Sequence, residues 1–266
     1  MKERKKEKEK QVRLLIILII LLFIINYPFL NKLTEGFLSN YETAYVERVI
    51  DGDTIVIENK TSVRMLGINS PERSELYYDE AKQYLENLVL DKTVKLEFGK
   101  EKTDRYNRLL RYVHINNKNI NLKLVEEGFA NFYFPSGKDR YYKDFEEAWE
   151  ECIDKNINLC EKSEEKCAEC VELKEFNHKK QEIVLYNKCN VHCDLTDWTI
   201  KDEGRKKFVF GSFILKSNKE IKIVVGDSED TNDILFWNNE DYVWTNTGDS
   251  LFLRDRKGKL VLWRSY

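Results

Sequence analysis

Four cysteines in two close pairs, Cys167 with Cys170 and Cys189 with Cys193, stand where the pattern of this 266-residue chain changes. From Tyr41 to Cys152, strand-like and helix-like runs alternate. From Glu182 to Tyr266, short strands and turn residues follow without a helical period. A C-x2-C pair followed by a C-x3-C pair reads as a cross-link, either two disulfides or a four-thiolate zinc site. The chain therefore divides into a first domain at 41–154, a cysteine-containing linker at 155–181 and a second domain at 182–266. Cys152 stands apart. Phe145, Ala148, Trp149 and Cys152 share one helical face, which leaves open a buried thiol or a bond to Cys160. His178 and His192 read as surface histidines.

The compartment bears on that choice. Seven Lys/Arg fall within residues 1–13, and Leu14 begins an apolar run that reaches Leu30. That length is at the short end of what crosses a bilayer as a helix, and no small-x-small cleavage site follows it. The expectation is a basic cytosolic tail at 1–13, a transmembrane helix at 14–30 (or a signal segment, giving a secreted protein if cleaved) and a juxtamembrane linker at 31–40. Positive charge on the inner side places the body outside the cytosol. Disulfides are favoured there over zinc.

Fourteen Tyr, 14 Phe and 5 Trp supply apolar mass for two cores, which excludes wholesale disorder. The net charge of -3 hides an asymmetry: eight Lys/Arg against four Asp/Glu through Asn40 leave -7 on the remainder. An acidic body argues against binding nucleic acid by bulk charge.

In the first domain, Tyr45–Val49 and Thr54–Glu58 read as strands joined across Asp51-Gly52-Asp53, a tight turn. Ser62–Ile68, Thr93–Phe98 and Leu109–Ile115 read as further strands. Ala81, Tyr84, Leu85 and Leu88 line one face of a helix, and Leu122–Glu127 forms a short helix stopped at Gly128. Five strands with inserted helices suit a small Greek-key barrel of the oligonucleotide-binding (OB) type, although another small mixed domain fits nearly as well. Asp53, Asn69, Ser70 and Glu72 lie in turns, and Arg64 and Arg108 at strand ends. A metal ion with two guanidinium forks can neutralise charge on a phosphoryl group, while a carboxylate takes a proton from water. Each residue alone is ordinary for its place.

Together they are specific. Val49-Ile-Asp-Gly-Asp-Thr-Ile-Val, Val63-Arg-Met-Leu-Gly-Ile-Asn-Ser-Pro-Glu and Thr103-Asp-Arg-Tyr-Asn-Arg-Leu-Leu-Arg-Tyr-Val resemble, in order and spacing, the signatures of the staphylococcal nuclease (thermonuclease) family. Asn121-Leu-Lys-Leu-Val-Glu-Glu-Gly-Phe-Ala resembles the helix that follows in that family. The resemblance implies a five-stranded OB-fold barrel and calcium-dependent hydrolysis of DNA and RNA with one Ca2+ per nuclease domain. It implies Arg64 and Arg108 as phosphate-binding catalytic arginines and Glu72 as general base. Asp53, Asn69 and the Ser70 carbonyl would be metal ligands, and Asp104, Arg105 and Tyr106 a substrate-holding loop. Tyr133 and Phe134 would lie beside a base. Asn69 departs from the family's aspartate, so calcium should bind more loosely. Arg111 is expected to join Arg64, Arg105 and Arg108 in a local cationic site.

The second domain reads as an immunoglobulin-like β-sandwich of eight short strands between Glu182 and Trp263. Ile183-Val-Leu-Tyr-Asn, Asp194-Leu-Thr-Asp-Trp-Thr-Ile-Lys-Asp, Phe208-Val-Phe and Gly248-Asp-Ser-Leu-Phe-Leu-Arg-Asp resemble a lamin-tail domain. No nucleophile–base cluster is visible there, and Trp198, Phe208, Trp237 and Trp263 read as core. Such a domain implies an envelope or protein partner. The fold class is thus mainly β with α, behind an N-terminal transmembrane helix. The resemblances imply a membrane-anchored extracytoplasmic nuclease, or alternatively a catalytically weak nucleic-acid-binding or attachment module.

Overall fold

The computed structural model describes residues 10–22, 24, 26 and 41–266. Residues 10–22, 24 and 26 are helical and are called α1, with apolar side chains from Val12 to Leu22 exposed to solvent. Among the described residues no helix is long and apolar enough to cross a membrane. The expected transmembrane helix at 14–30 is therefore not seen as such. Most of its second half, most of the basic tail and all of the juxtamembrane linker lie outside the described residues.

Thr43–Tyr266 form one compact unit. Its first part is a barrel of β1 (Tyr41–Asp51), β2 (Thr54–Ile57), β3 (Thr61–Met65), β4 (Gly67–Asn69), β5 (Thr93–Thr103), β6 (Leu109–Ile115), β7 (Lys118–Asn119) and β8 (Asn131–Tyr133). The β3-β2-β1-β5-β6 order closes on itself because β3 also pairs β6 in parallel, Arg64 opposite Leu110. That closure makes the five-stranded barrel and leaves β4 to pair β8 beside it. The alternating apolar residues Val46, Ile55, Val63, Leu96 and Val113 fill the interior. Helix α2 (Tyr78–Val89) buries Ala81, Leu85 and Val89 against it, with Tyr84 and Leu88 at the margin. Helix α3 (Ile120–Glu126) is capped by the Asn119 side chain, which accepts from Leu122 N–H at 3.2 Å. Asn121, fully buried, accepts from Val113 N–H and donates to the Leu66 carbonyl, tying α3 to the barrel. Helix α4 (Tyr142–Lys155) closes this part.

The second part is the sandwich. One sheet carries β9 (Val171–Asn177), β10 (Glu182–Asn187), β15 (Glu220–Val225) and β16 (Ile234–Trp237); the other carries β12 (Thr199–Lys201), β13 (Lys207–Val209), β17 (Ser250–Arg254) and β18 (Leu260–Ser265). The two-residue strands β11 (Cys193–Asp194) and β14 (Ile214–Leu215) pair at one end. Strand β9 lies in the segment read from sequence as linker. Its exposed residues broke the apolar pattern, yet it hydrogen-bonds along β10 as a sheet edge. Trp198, Trp237, Ile183, Ile221 and Leu251 form the core.

All six cysteines are paired: Cys152–Cys160, Cys167–Cys193 and Cys170–Cys189. The helix-face cysteine is therefore a disulfide, and the two close pairs are cross-linked to each other instead of surrounding zinc.

The two parts share apolar contacts. Trp149 of α4 meets Phe252 of β17 edge to face with ring centroids 5.4 Å apart, and Phe132 meets Trp263 at 6.1 Å. Leu260 is buried in the barrel's own core cluster.

Candidate active site

The Asp51-Gly52-Asp53 turn approaches the β4 end so closely that a Cβ on Gly52 would lie 2.7 Å from Ser70 Cβ and 2.9 Å from Ala81 Cβ. Only glycine fits there, and that contact brings Asp53 to the loop after β4. Asp53 Oδ2 accepts from Ser70 N–H at 2.8 Å and from Ser70 Oγ–H at 3.0 Å, and lies 3.1 Å from the Arg64 guanidinium. Oδ1 accepts from Thr54 Oγ1–H. Arg64 also donates to the Met65 carbonyl and, at 3.3 Å, to Asn69 Oδ1. Asp53, Arg64, Asn69 and Ser70, four residues singled out in sequence, thus form one buried network. Replacing Asn69 Oδ1 by a carboxylate oxygen would keep the contact with Arg64, but an Asp could not make the other one. Asn69 Nδ2–H donates at 2.9 Å to the carbonyl of Gly204, a residue of the sandwich.

Asp51 belongs to the same turn. Its carboxyl is pushed up to about 6, first by burial and then by the charge of Asp53. Among the described residues, no group of three or more His, Cys, Asp or Glu could hold a metal. What gathers here is a sparser set of hard oxygen donors: two neighbouring carboxylates and an amide oxygen, beside the Ser70 backbone. Such donors suit a weakly held hard cation, which would also relieve the repulsion within the Asp51–Asp53 pair.

Glu72 follows Pro71 and is half exposed. Its N–H donates to Glu75 Oε2 at 2.9 Å, and its carboxylate lies 2.6 Å from Arg205 Nε. Glu75 pairs with Lys201 and Lys207 at 3.0 and 3.5 Å. Burial raises the Glu75 carboxyl, but Lys201, the Glu72 N–H and Lys207 together hold it below its ordinary value.

Arg108 immediately precedes β6, the strand whose parallel pairing with β3 sets it on the Arg64 side of the barrel. Asp104 shapes its turn, accepting from the N–H groups of Tyr106 and Arg108 and from Arg108 Nε at 2.7 Å. Burial raises the Asp104 carboxyl, but these bonds outweigh it and leave the group lowered. The Arg105 and Arg108 guanidinium groups lie 4.8 and 5.5 Å from the exposed Tyr106 ring.

Arg111 does not join a local cationic site. It stacks on Phe98 at 4.4 Å and donates to the Lys102 and Leu110 carbonyls. Phe134 is core, packed on Tyr142 and Phe145, so it offers no face to a base. Tyr133 lines the site, but its ring lies beside Gly204, where an added Cβ would stand 3.4 Å away.

Residues 62–162 match the model of the staphylococcal nuclease homologue family, and residues 166–266 match that of the lamin tail domain. The thermonucleases of Staphylococcus intermedius and Staphylococcus hyicus are each 33% identical over 130 residues. These alignments span 46% and 45% of this chain and 77% of each thermonuclease. The chain belongs to the staphylococcal nuclease family. Endonuclease YncB of Bacillus subtilis is 36% identical over 118 residues, covering 39% of this chain and 56% of YncB. As a nuclease of this family, the chain differs from a bare barrel in one respect that its motifs did not signal. Asn69, Glu72 and Asn131 meet residues 203–205 of the lamin-tail domain, and nothing in the periodicity of Asp202-Glu-Gly-Arg-Lys206 distinguishes it from any other turn.

Proposed function

We propose that this chain is a calcium-dependent nuclease, anchored to a membrane with its body outside the cytosol, that hydrolyses phosphodiester bonds of DNA and RNA. The observation that carries the reading is the buried Asp53–Arg64–Asn69–Ser70 network within three residues of Glu72. Asp53, Asn69 and the Ser70 carbonyl, with Asp51, would hold calcium, which when bound supplies positive charge to a phosphoryl oxygen. Arg64 is fixed by Asp53 and the Met65 carbonyl, so it presents a permanent charge without reorganising. Arg108, oriented by Asp104, serves as the second fork. Glu72 accepts the proton of the attacking water once its carboxylate is available. Asp104, Arg105 and Tyr106 hold the substrate strand, and Tyr133 walls the site.

Three disulfides favour an oxidising compartment. The exposed apolar face of α1 supports a membrane anchor. The lamin-tail domain would carry attachment to an envelope or protein partner. The Arg205–Glu72 ion pair is the one observation that favours the alternative of a weak, binding-only module, because it occupies the base.

Cleavage of single- and double-stranded DNA and RNA, with calcium and with chelator, tests the reading. Arg108→Ala should lower turnover by about 10²–10³-fold. Cleavage that persists in chelator, or its absence with calcium, refutes the proposal.

A further inference from the structure

Strands β12 and β13 form a hairpin with Lys201 opposite Lys207, and Asp202 closes its turn by accepting from Lys206 N–H at 2.9 Å. The turn is seated by buried amides of the nuclease barrel. Asn69 Nδ2–H donates to the Gly204 carbonyl at 2.9 Å, Asn131 Nδ2–H to the Glu203 carbonyl at 3.0 Å, and Phe134 N–H to Glu203 Oε2 at 3.3 Å. A buried donor left unpaired costs about 1–3 kcal/mol, so this seat is a fixed feature of the fold.

The side chain at the tip is not fixed in the same way. Arg205 is 63% exposed and Glu72 46%, and an exposed pair of this kind is worth about 1 kcal/mol or less. A planar guanidinium held so weakly, beside the carboxylate read here as the base, lies within reach of whatever anion that carboxylate serves. The surroundings suit an anionic strand. A cleft of about 310 Å³ close by is lined by the cations Lys201, Lys207, Arg254, Arg256 and Lys257, which outnumber its acids Glu75, Asp197 and Asp255, although Lys201 and Lys207 pair with Glu75. The body as a whole carries -7, so bulk charge supplies no such attraction.

We propose that the lamin-tail domain completes the nuclease substrate site, with Arg205 as a phosphate-binding residue. Arg205 rests on Glu72 when no substrate is bound and moves to a phosphate of the bound strand, which releases the carboxylate. The proposal rests on the nuclease reading above, since it assigns the anion as a nucleic-acid phosphate.

The test uses the full chain with calcium and a single-stranded oligodeoxynucleotide, measuring kcat and KM across a salt series for wild type, Arg205→Ala and Arg205→Lys. Arg205→Ala should raise KM about tenfold at low salt, and should flatten the salt dependence of kcat/KM by about 0.7 in logarithmic slope, the loss of one phosphate contact on a single strand. Arg205→Lys, which keeps the charge, should restore the slope and part of the affinity. A wild-type slope in Arg205→Ala overturns the proposal. So does a fall in kcat with KM unchanged, since that would make Arg205 only a positioning residue for Glu72. An inactive wild type would sink the nuclease reading and this proposal with it, whereas an active wild type with an indifferent Arg205 sinks this proposal alone.

Discussion

The nuclease barrel and the lamin-tail sandwich solve the same problem by different means. The barrel closes its own sheet through the β3–β6 pairing and fills it with aliphatic residues, and its one disulfide, Cys152–Cys160, staples only the end of α4. The sandwich is built of short strands, two of them only two residues long, and is stapled at one end by Cys167–Cys193 and Cys170–Cys189. Long strands in a closed ring leave no unpaired edges. Short strands bury less per residue and gain more from covalent restraint. The difference carries over to function, because the barrel supplies the buried charges and the sandwich supplies a stiff turn laid across them.

Removing the Cys170–Cys189 bond as a double alanine variant should break this comparison most strongly. With a sequence separation of 19 residues, its loss should cost about 3 kcal/mol. Denaturant unfolding followed by Trp198 and Trp237 fluorescence, against hydrogen exchange in the barrel, should show the sandwich losing stability first. Equal losses in both parts would mean that the shared Trp149–Phe252 contact makes them one cooperative unit.

Asn69→Asp sharpens the comparison at the seam. The added charge should lower the calcium concentration for half-maximal activity. The same change removes the donor to the Gly204 carbonyl and sets a carboxylate against it, so stability should fall by about 1–3 kcal/mol. A calcium requirement that stays unchanged would remove Asn69 from the metal site. Stability that stays unchanged would mean that the turn does not depend on this amide.

The last test varies pH. Burial, and then the charge of Asp249, push Glu203 up to about 8; burial and Asp249 also push Asp202 up to about 7. A carboxyl raised in the folded state holds a proton there that the unfolded chain has released. Its contribution is therefore full at low pH and is lost as pH rises from near 4 to about 8. Glu203→Gln, which stays neutral, should gain on wild type across that window. Thermal unfolding at pH 5 and pH 8 checks the sign. A variant that loses ground as pH rises would show that Glu203 is ionised and supported in its place.

Much of the barrel was legible before any coordinates. The Asp51-Gly52-Asp53 turn, the α2 face and the Gly128 stop are local features, governed by backbone sterics and by period, and they stand where expected. So do Asp53, Arg64, Asn69 and Ser70, because a motif preserves the spacing that brings them together. Strand β9 was missed, since an exposed edge has no apolar alternation to reveal it. Arg111 was misjudged because a strand-end arginine gives no sign of whether it faces solvent or the Phe98 ring.

By itself, the sequence determined a family barrel, a cysteine cross-link and a second β domain, each of which depends on neighbours or on recurrent spacing. Only the tertiary structure decided which cysteine met which, and that the Glu203–Arg205 turn covers Asn69, 135 residues away from its Gly204 partner. The physical reason is that this contact depends on packing Trp149 and Phe132 against Phe252 and Trp263, and no local periodicity encodes the angle at which two finished domains meet.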